Sequence, residues 1–424
     1  MPDDNLSSLI TVPATVISEA LSGGNACRGC LRDWLLTVPD PRRRGWHRLE
    51  FVLALAVCAF AAAGHDSPSA IAEWAAGCSR ETLLLLGGRP CPLTGRVRAP
   101  STRTFGRVLG NVSSDAVDQA LCGFLAAMPA APAEDLPEVT RHEREQRRAA
   151  AAAREPQVPG LLPQAACDGK TARGAVRPDG SRVHLLSAFC VDEGRTMAQR
   201  EVNAKSNEIP ELVPMLEELD ISSTVITADA LHGQRAAAEK INDMGGYYIQ
   251  FIKGNQPTLA ESIAVRLMGT DAEFADDSWA EEEKGHGRRD RRSIRTAPAS
   301  GIDWPAAQQV FRIRRDSGTT DGPWESTEFA LGITNLLPAL AGPRHIAVYA
   351  RRHWNVENRA HYVRDVTFRE DAQKTRTGSQ PSVLAGIRNL IMGAFRKKGH
   401  ANIAAARRYY VRDDQRILAL FGYA

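Results

Sequence analysis

Very little in the bulk composition points to a partner. The 424 residues carry 53 Lys and Arg against 50 Asp and Glu, a net charge of only +3. No overall basic excess marks a nucleic-acid binder, so only local clusters count. Long apolar runs are also missing. Residues 51–63 fall short of the ~20 residues a membrane-spanning helix needs. They have no signal-peptide flank and read as a buried helix. The eight Cys are scattered, and Cys58, Cys122, Cys167 and Cys190 sit in apolar or mixed runs, as reduced intracellular thiols do. Cys27-Arg28-Gly29-Cys30 has half of a zinc spacing, but Cys78 and Cys91 are too far apart to supply the other half. The segment 353–365 also lacks the adjacent His-Glu pair of zinc peptidases. At 24% charged and 43% hydrophobic, the chain is neither disordered nor fibrous, and it is long enough for two or three domains.

What is present is concentrated in residues 350–365, which contain no Pro or Gly. On a helix, residues four apart stack on one face. His353, Glu357, His361 and Asp365 keep that spacing throughout, with Arg351, Arg352, Arg359 and Arg364 around them. Trp354 and Val363 fall elsewhere on the wheel and suit core packing. Such a face either binds a divalent metal or is a solvated, salt-bridged surface.

Taken in order, residues 1–30 are polar, Gly-rich and expected to be poorly ordered. Residues 31–127 read as a small all-α domain. It carries the basic cluster Arg42-Arg43-Arg44, and a helix from Thr102 to Leu109 is capped by Ser101 and bears Arg103 and Arg107. That helix suits DNA docking as well as a plain bundle with solvated Arg residues. Residues 128–163 form a spacer, helical over Glu138–Glu155, and a loop.

From Gln164 the pattern changes to β-β-β-α-β-α-β. The first strand is expected to end at Asp168-Gly169 and the fourth at Asp229. Strand ends are where sheet folds place active groups. Residues 281–334 alternate like antiparallel strands and read as a β-rich insertion. A helix from Val383 to Phe395 follows, and residues 396–424 read as a basic tail.

Three carboxylates, Asp168, Asp229 and Glu357, stand out as a set that only folding can bring together. Three acids with no thiolate nearby favour a hard cation, Mg²⁺ or Mn²⁺. Two such ions activate an attacking oxygen and stabilise a leaving oxygen at a phosphodiester. A bound cation also explains how clustered carboxylates stay ionised. For each Asp alone the plain alternatives are a turn after a strand and a helix N-cap.

The segments "CDGKTARG" (167–174), "HLLSAF" (184–189), "EVNAKSNEIPEL" (201–212), "ITADALHGQ" (226–234), "YYIQFIKGNQPTL" (247–259), "GHGRRDRR" (285–292) and "RHWNVENRAHYVRDVTFREDA" (352–372) carry a resemblance. In this order they resemble the DDE transposases of bacterial insertion sequences, in the ISAs-type or H-repeat-associated group. The segments "VPDPRRRGWHRLEFVLALAV" and "PSTRTFGRVL" resemble the helical domain that accompanies the group. The resemblance spans roughly residues 30–395.

It implies an α/β (α+β) fold: an RNase H-like mixed-sheet core over residues 164–395 with an insertion at about 281–334, preceded by the all-α domain. Asp168, Asp229 and Glu357 fall on the family's acidic positions and would hold two Mg²⁺ or Mn²⁺ ions. The implied activity is cleavage at the ends of a mobile element and strand transfer into target DNA. A homodimer on double-stranded DNA is expected, cytoplasmic and nucleoid-associated, with no membrane. Lys170, Lys205, Lys253, His286, Arg288, Arg292, His353 and Arg364 are the expected DNA contacts, with Asp365 and Asp371 in support. The competing readings are a metal-dependent nuclease or domesticated remnant on the same core, a metallohydrolase built on the 353–365 helix alone, and a DNA-binding module without chemistry.

Overall fold

The computed structural model describes residues 29–130, 146, 158–202, 208–254, 256–285 and 287–423. Cys27, Lys205, His286 and most of the 128–163 spacer lie outside these.

Six helices open the described chain: α1 Leu31–Leu35, α2 Leu49–Ala61, α3 Pro68–Gly77, α4 Arg80–Leu85, α5 Thr102–Asn111 and α6 Ser114–Ala127. Four of them start at a serine. Ser67, Ser79, Ser101 and Ser113 each accept a hydrogen bond from the backbone N–H three residues on, satisfying a donor that a helix start otherwise leaves open. Every residue of α2 is buried, so this short apolar run is the centre of the bundle.

The sheet has nine strands: β1 Gln164–Val176, β2 Arg182–Cys190, β3 Arg195–Val202, β4 Val225–Ala228, β5 Tyr247–Ile252, β6 Ser278–Gly285, β7 Arg288–Pro298, β8 Gln309–Thr319 and β9 Trp324–Thr334. Their spatial order is β3-β2-β1-β4-β5-β9-β8-β7-β6. The first three pair antiparallel, and β1, β4 and β5 pair parallel. This is the mixed sheet of the RNase H-like fold. The helices α7 Ile209–Leu216, α8 Arg235–Asp243 and α9 Pro257–Arg266 follow β3, β4 and β5. The insertion is a four-strand meander rather than the three short strands expected. It continues the same sheet through the antiparallel β5–β9 pair.

The sheet carries separate apolar clusters. Cys167, Met215, Ile226, Ala238, Tyr248 and Val310 pack in one. Ile249 and Phe311 pack in another with Ile346 and Tyr349 of α10 Pro343–Arg352. Ala166, Phe189, Val356 and Ala360 form a small cluster under the segment that carries Glu357.

Two expectations are corrected. First, β1 does not stop at Asp168-Gly169 but pairs on through Ala172 with β2. Second, residues 396–424 are not a basic tail. After α12 Gln380–Lys397 come α13 Ile403–Tyr410 and α14 Asp414–Leu420. Ile403, Tyr410, Ile417 and Phe421 share one core with Leu31, α2 and α6. The Leu31 N–H donates to the Phe421 carbonyl. The apolar spacing of this stretch outweighs its Arg residues, of which Arg407 is itself buried over the Phe368 ring.

Candidate active site

The register of the parallel pair builds the site. Cys167 of β1 lies opposite Ala228 of β4. One residue further, Asp168 and Asp229 are side by side at the carboxyl end of β4, and neighbouring strands are only ~4.8 Å apart. Asp229 opens a single 3₁₀ turn, Ala230–His232, and its Oδ1 accepts from the Ala230 N–H at 2.7 Å. The capping role considered for Asp229 is therefore real, and it orients the carboxylate instead of competing with the site.

Glu357 comes from the other side. The expected continuous helix over 350–365 is interrupted. The α10 helix ends at Arg352, a π-helical turn runs over Glu357–His361, and α11 spans Tyr362–Val366. The wider turn is a common feature where a helix presents functional groups. The stripe of four still faces the sheet. His353 Nδ1 is 3.2 Å from Thr227 Oγ1, His361 Nδ1 is 2.9 Å from Glu357 Oε2 and 3.4 Å from Asp168 Oδ2, and Asp365 Oδ2 is 2.7 Å from Lys170 Nζ.

One ligand atom from each of Asp168, Glu357 and His361 lies within 4.8 Å of the others. Asp229 stands outside that trio, with Oδ1 3.7 Å from Lys253 Nζ. Burial, then the charges of Glu208, Glu357 and Asp229, push the Asp168 carboxyl up to about 6, against the favourable Gly169 N–H. Four carboxylates thus act on one pocket. Burial, helped by Arg364 and Lys170, holds His361 down at about 3, so its ring is neutral. A neutral ring aimed through Nδ1–H at two carboxylates orients them, while Nε2 has no partner among the described residues.

The oxygens present fit a hard divalent cation. Repulsion at Asp168 is what such an ion relieves, and the sulfur of neighbouring Cys167 is fully buried in the core.

Several expected DNA contacts are placed elsewhere by the fold. Lys170 is 7% exposed and held by Asp365 and, at 3.9 Å, Asp371. Arg364 is 1% exposed and grips Glu370 with two nitrogens. His353 is held at about 4 by burial and faces Thr227. These three support the site from inside: Lys170 and Arg364 are buried cations already paired with carboxylates, and His353 is a buried neutral ring, so none is left for a phosphate. Arg292 is tied to Glu283 and Glu281, which also hold Arg351. Arg288 and Lys253 are open to solvent. Trp354, expected in the core, is 65% exposed.

Glu208, His184 and His232 were not picked out from the sequence. Glu208 Oε1 is 2.6 Å from His184 Nε2, and Oε2 is 2.7 Å from His232 Nε2. One signal was available: Gly169 lies inside a strand, where glycine weakens pairing and marks a close approach. A side chain there would begin 2.2 Å from Glu208 Oε1 and 2.6 Å from His184 Nε2.

Comparison with known families agrees with this arrangement. The family described as "Transposase DDE domain" matches residues 146–392, more than half of the chain. This chain belongs to the DDE transposase family. A second family, "DDE_Tnp_1-associated", matches residues 32–125 of the transposase, the helical bundle. Among relatives, "Putative transposase YncI" of Escherichia coli O157:H7 is 26% identical over 384 residues, covering 86% of this chain and 87% of that protein. "H repeat-associated putative transposase YhhI" of Escherichia coli K12 is 30% identical over 239 residues, 53% of this chain and 62% of its own. A piggyBac transposase synaptic complex with hairpin DNA covers 90% of this chain and 82% of its own at 10% identity. Its TM-score of 0.37 is too low to bear on the fold of this transposase. No described helix is long and apolar enough to cross a membrane.

Proposed function

We propose that this transposase binds the ends of its element, cuts the phosphodiester there and transfers the freed 3′-hydroxyl into target DNA, working as a homodimer on double-stranded DNA. The observation that carries this reading is that Asp168 of β1 meets Glu357 and His361 of the π-helical turn within 4.8 Å, with Asp229 one residue past the paired end of β4. Asp168, Asp229 and Glu357 would hold two Mg²⁺ or Mn²⁺ ions. When bound, these supply Lewis-acid stabilisation of the attacking and leaving oxygens. The chain's own part is positioning. The N-cap bond orients Asp229, His361 aligns Glu357 with Asp168, and Lys170 and Asp365 brace β1 against α11. The test is to incubate the protein with its native flanking DNA and Mg²⁺ and map the products. Cuts at the element ends with joined products support transposition. Scattered cuts without joining support the nuclease reading, and no cuts at all support the binding-only remnant.

Metal binding should depend on pH. With its pKa near 6, Asp168 binds a proton in the fold at pH values where the unfolded chain has lost it. The metal-free fold therefore loses this contribution as pH rises from about 4 to 6. A cation must displace that proton below pH 6, so affinity should weaken roughly tenfold for each pH unit below it. Thermal melting with Mn²⁺ at pH 7.5 and 5.0 checks this. An equal upward shift at both pH values would refute it.

The meander suggests a path for DNA. Leu331 of β9 pairs with Ile252 at the end of β5, and Trp324–Ala330 run on past it. They project beyond the same end of the sheet as the acids. On the face of Arg288 and Arg292, Glu281, Glu283, Asp290 and Glu328 balance the charge. The opposite face carries Arg289, Arg291, Arg295, Arg312 and Arg314, alternating along β7 and β8, with Phe329 59% exposed among them. Glu282 and Asp316 also lie there, Asp316 pairs with Arg314 at 2.9 Å and Asp271 pairs with Arg295, so the arginines outnumber the acids without being free of them. Arg312 and Arg314 lie 5.6 and 5.9 Å from that ring. Burial and the charges of Arg295 and Arg314 lower the Arg312 pKa, a strain that phosphate would relieve. The double change Arg291→Ala and Arg312→Ala should weaken DNA binding about tenfold at moderate salt and flatten the salt dependence by roughly two phosphates. The matched pair Arg288→Ala and Arg292→Ala should cost less than about threefold. Fluorescence anisotropy across a salt series decides, and equal losses from both faces would reject this path.

A further inference from the structure

We propose that Glu208 is a positioning residue for the acidic site, holding the turn of Asp229 and the strand of Asp168 in fixed relation and adding negative charge where the cations bind. This rests on the metal-dependent reading above. Glu208 starts the segment that enters α7, and it reaches two other elements. An ionised carboxylate only accepts hydrogen bonds, so both imidazoles donate to it. His232, 1% exposed, ends the 3₁₀ turn that Asp229 begins, and its own N–H donates to the Asp229 carbonyl at 2.9 Å. His184 lies on β2 directly opposite Thr171 of β1, and its Nδ1 is 2.8 Å from Thr171 Oγ1. Glu208 therefore ties β1, β2 and the Asp229 turn together beneath the site, in the space that Gly169 leaves open.

Fold stability alone does not account for a carboxylate at this point. Burial raises its pKa, but the hydrogen bonds from His184 and His232 outweigh burial and bring it to about 2, so it is charged. Its Oε1 occupies the space where a side chain on Gly169 would begin, so its charge sits beside the neighbouring carboxylate of Asp168 and repels it. A neutral Gln of the same shape bonds both imidazoles without that repulsion once His184 switches tautomer, accepting the amide N–H at Nε2 and donating its Nδ1–H to Thr171 Oγ1. The charge is an advantage only when cations occupy the site, as they gain from every nearby carboxylate.

The test separates charge from position in the full-length protein. Mn²⁺ binding is read without DNA by electron paramagnetic resonance of free Mn²⁺, metal-free melting is followed in parallel, and cleavage of flanking DNA is measured against Mn²⁺. Glu208→Gln should weaken Mn²⁺ binding about fivefold to tenfold and raise the Mn²⁺ needed for half-maximal cleavage equally. Its metal-free Tm should stay level or rise, whereas loss of a merely structural residue would lower it. His232→Asn keeps the charge and loosens the turn, so kcat should fall about tenfold with Mn²⁺ affinity within about threefold. Should Glu208→Gln match the wild type in Mn²⁺ binding and cleavage, or lose only metal-free stability, the proposal is overturned while the wild type still binds and cuts. A wild type that binds no Mn²⁺ and cuts no DNA would remove the metal-dependent reading, and this inference with it.

Discussion

Asp168→Asn should abolish DNA cleavage, a fall of roughly 10³-fold or more, while binding to flanking DNA changes by less than about threefold. Asp168 is the only one of the acids that belongs to the close trio with Glu357 and His361 and also neighbours Asp229 through the β1–β4 register. Asn keeps the shape and the Gly169 contact but removes the charge. Repulsion among the carboxylates falls with it, so the metal-free protein should melt no lower than wild type. Loss of cutting with undiminished stability separates a catalytic role from a folding role. Cleavage of labelled flanking DNA in Mg²⁺, beside a binding assay and a melting curve, measures all three. Cutting by the variant at even a tenth of the wild-type rate would defeat the metal assignment.

The largest stability effect should come from Glu370. It is buried between Arg364 and Arg388, each only 1% exposed. Arg364 Nη2 lies 2.6 Å from Oε1, and Arg388 Nη1 lies 3.8 Å from it. Arg388 also stacks 5.4 Å over Phe60 of α2, so the network joins the helical bundle to the catalytic core. Burial opposes the charge on Glu370, but the two guanidiniums win and hold its pKa at about 2. A depressed carboxylate stabilises the fold above the unfolded pKa of about 4.5, and that stability is lost as pH falls toward 2. Glu370→Gln leaves two buried cations without a counter-charge, a cost of about 3–5 kcal/mol. Urea unfolding at pH 7.5 should show the loss, and it should shrink toward pH 3. A variant within about 1 kcal/mol of wild type at neutral pH would show that the arginines find other partners.

Much of the core was legible because its signals are local. The strand and helix order from Gln164 to Ile252, the serine caps of the helical bundle and the spacing of His353, Glu357, His361 and Asp365 follow from periodicity and capping. Charged residues misled for one shared reason. Lys170 and Arg364 look like free cations in a row of letters, but folding closes a carboxylate onto each: Asp365 lies 195 residues beyond Lys170, and Glu370 folds back onto Arg364. The same holds for Arg292, whose glutamates stand on the next strand. Trp354 failed in the opposite sense, since the break between α10 and the π-helical turn rotates it outward.

The amino-acid sequence alone determined the family and nominated the residues proposed for its chemistry, because seven ordered motifs and a four-residue stripe are properties of the chain itself. Tertiary structure decided which charges are spent inside the protein and which remain for a ligand. It also joined the last helices to the first, turned the insertion's arginines to opposite faces, and brought Glu208 under the acids. The physical reason is that burial and ion pairing depend on partners brought in from other elements, and no local pattern encodes who those partners are.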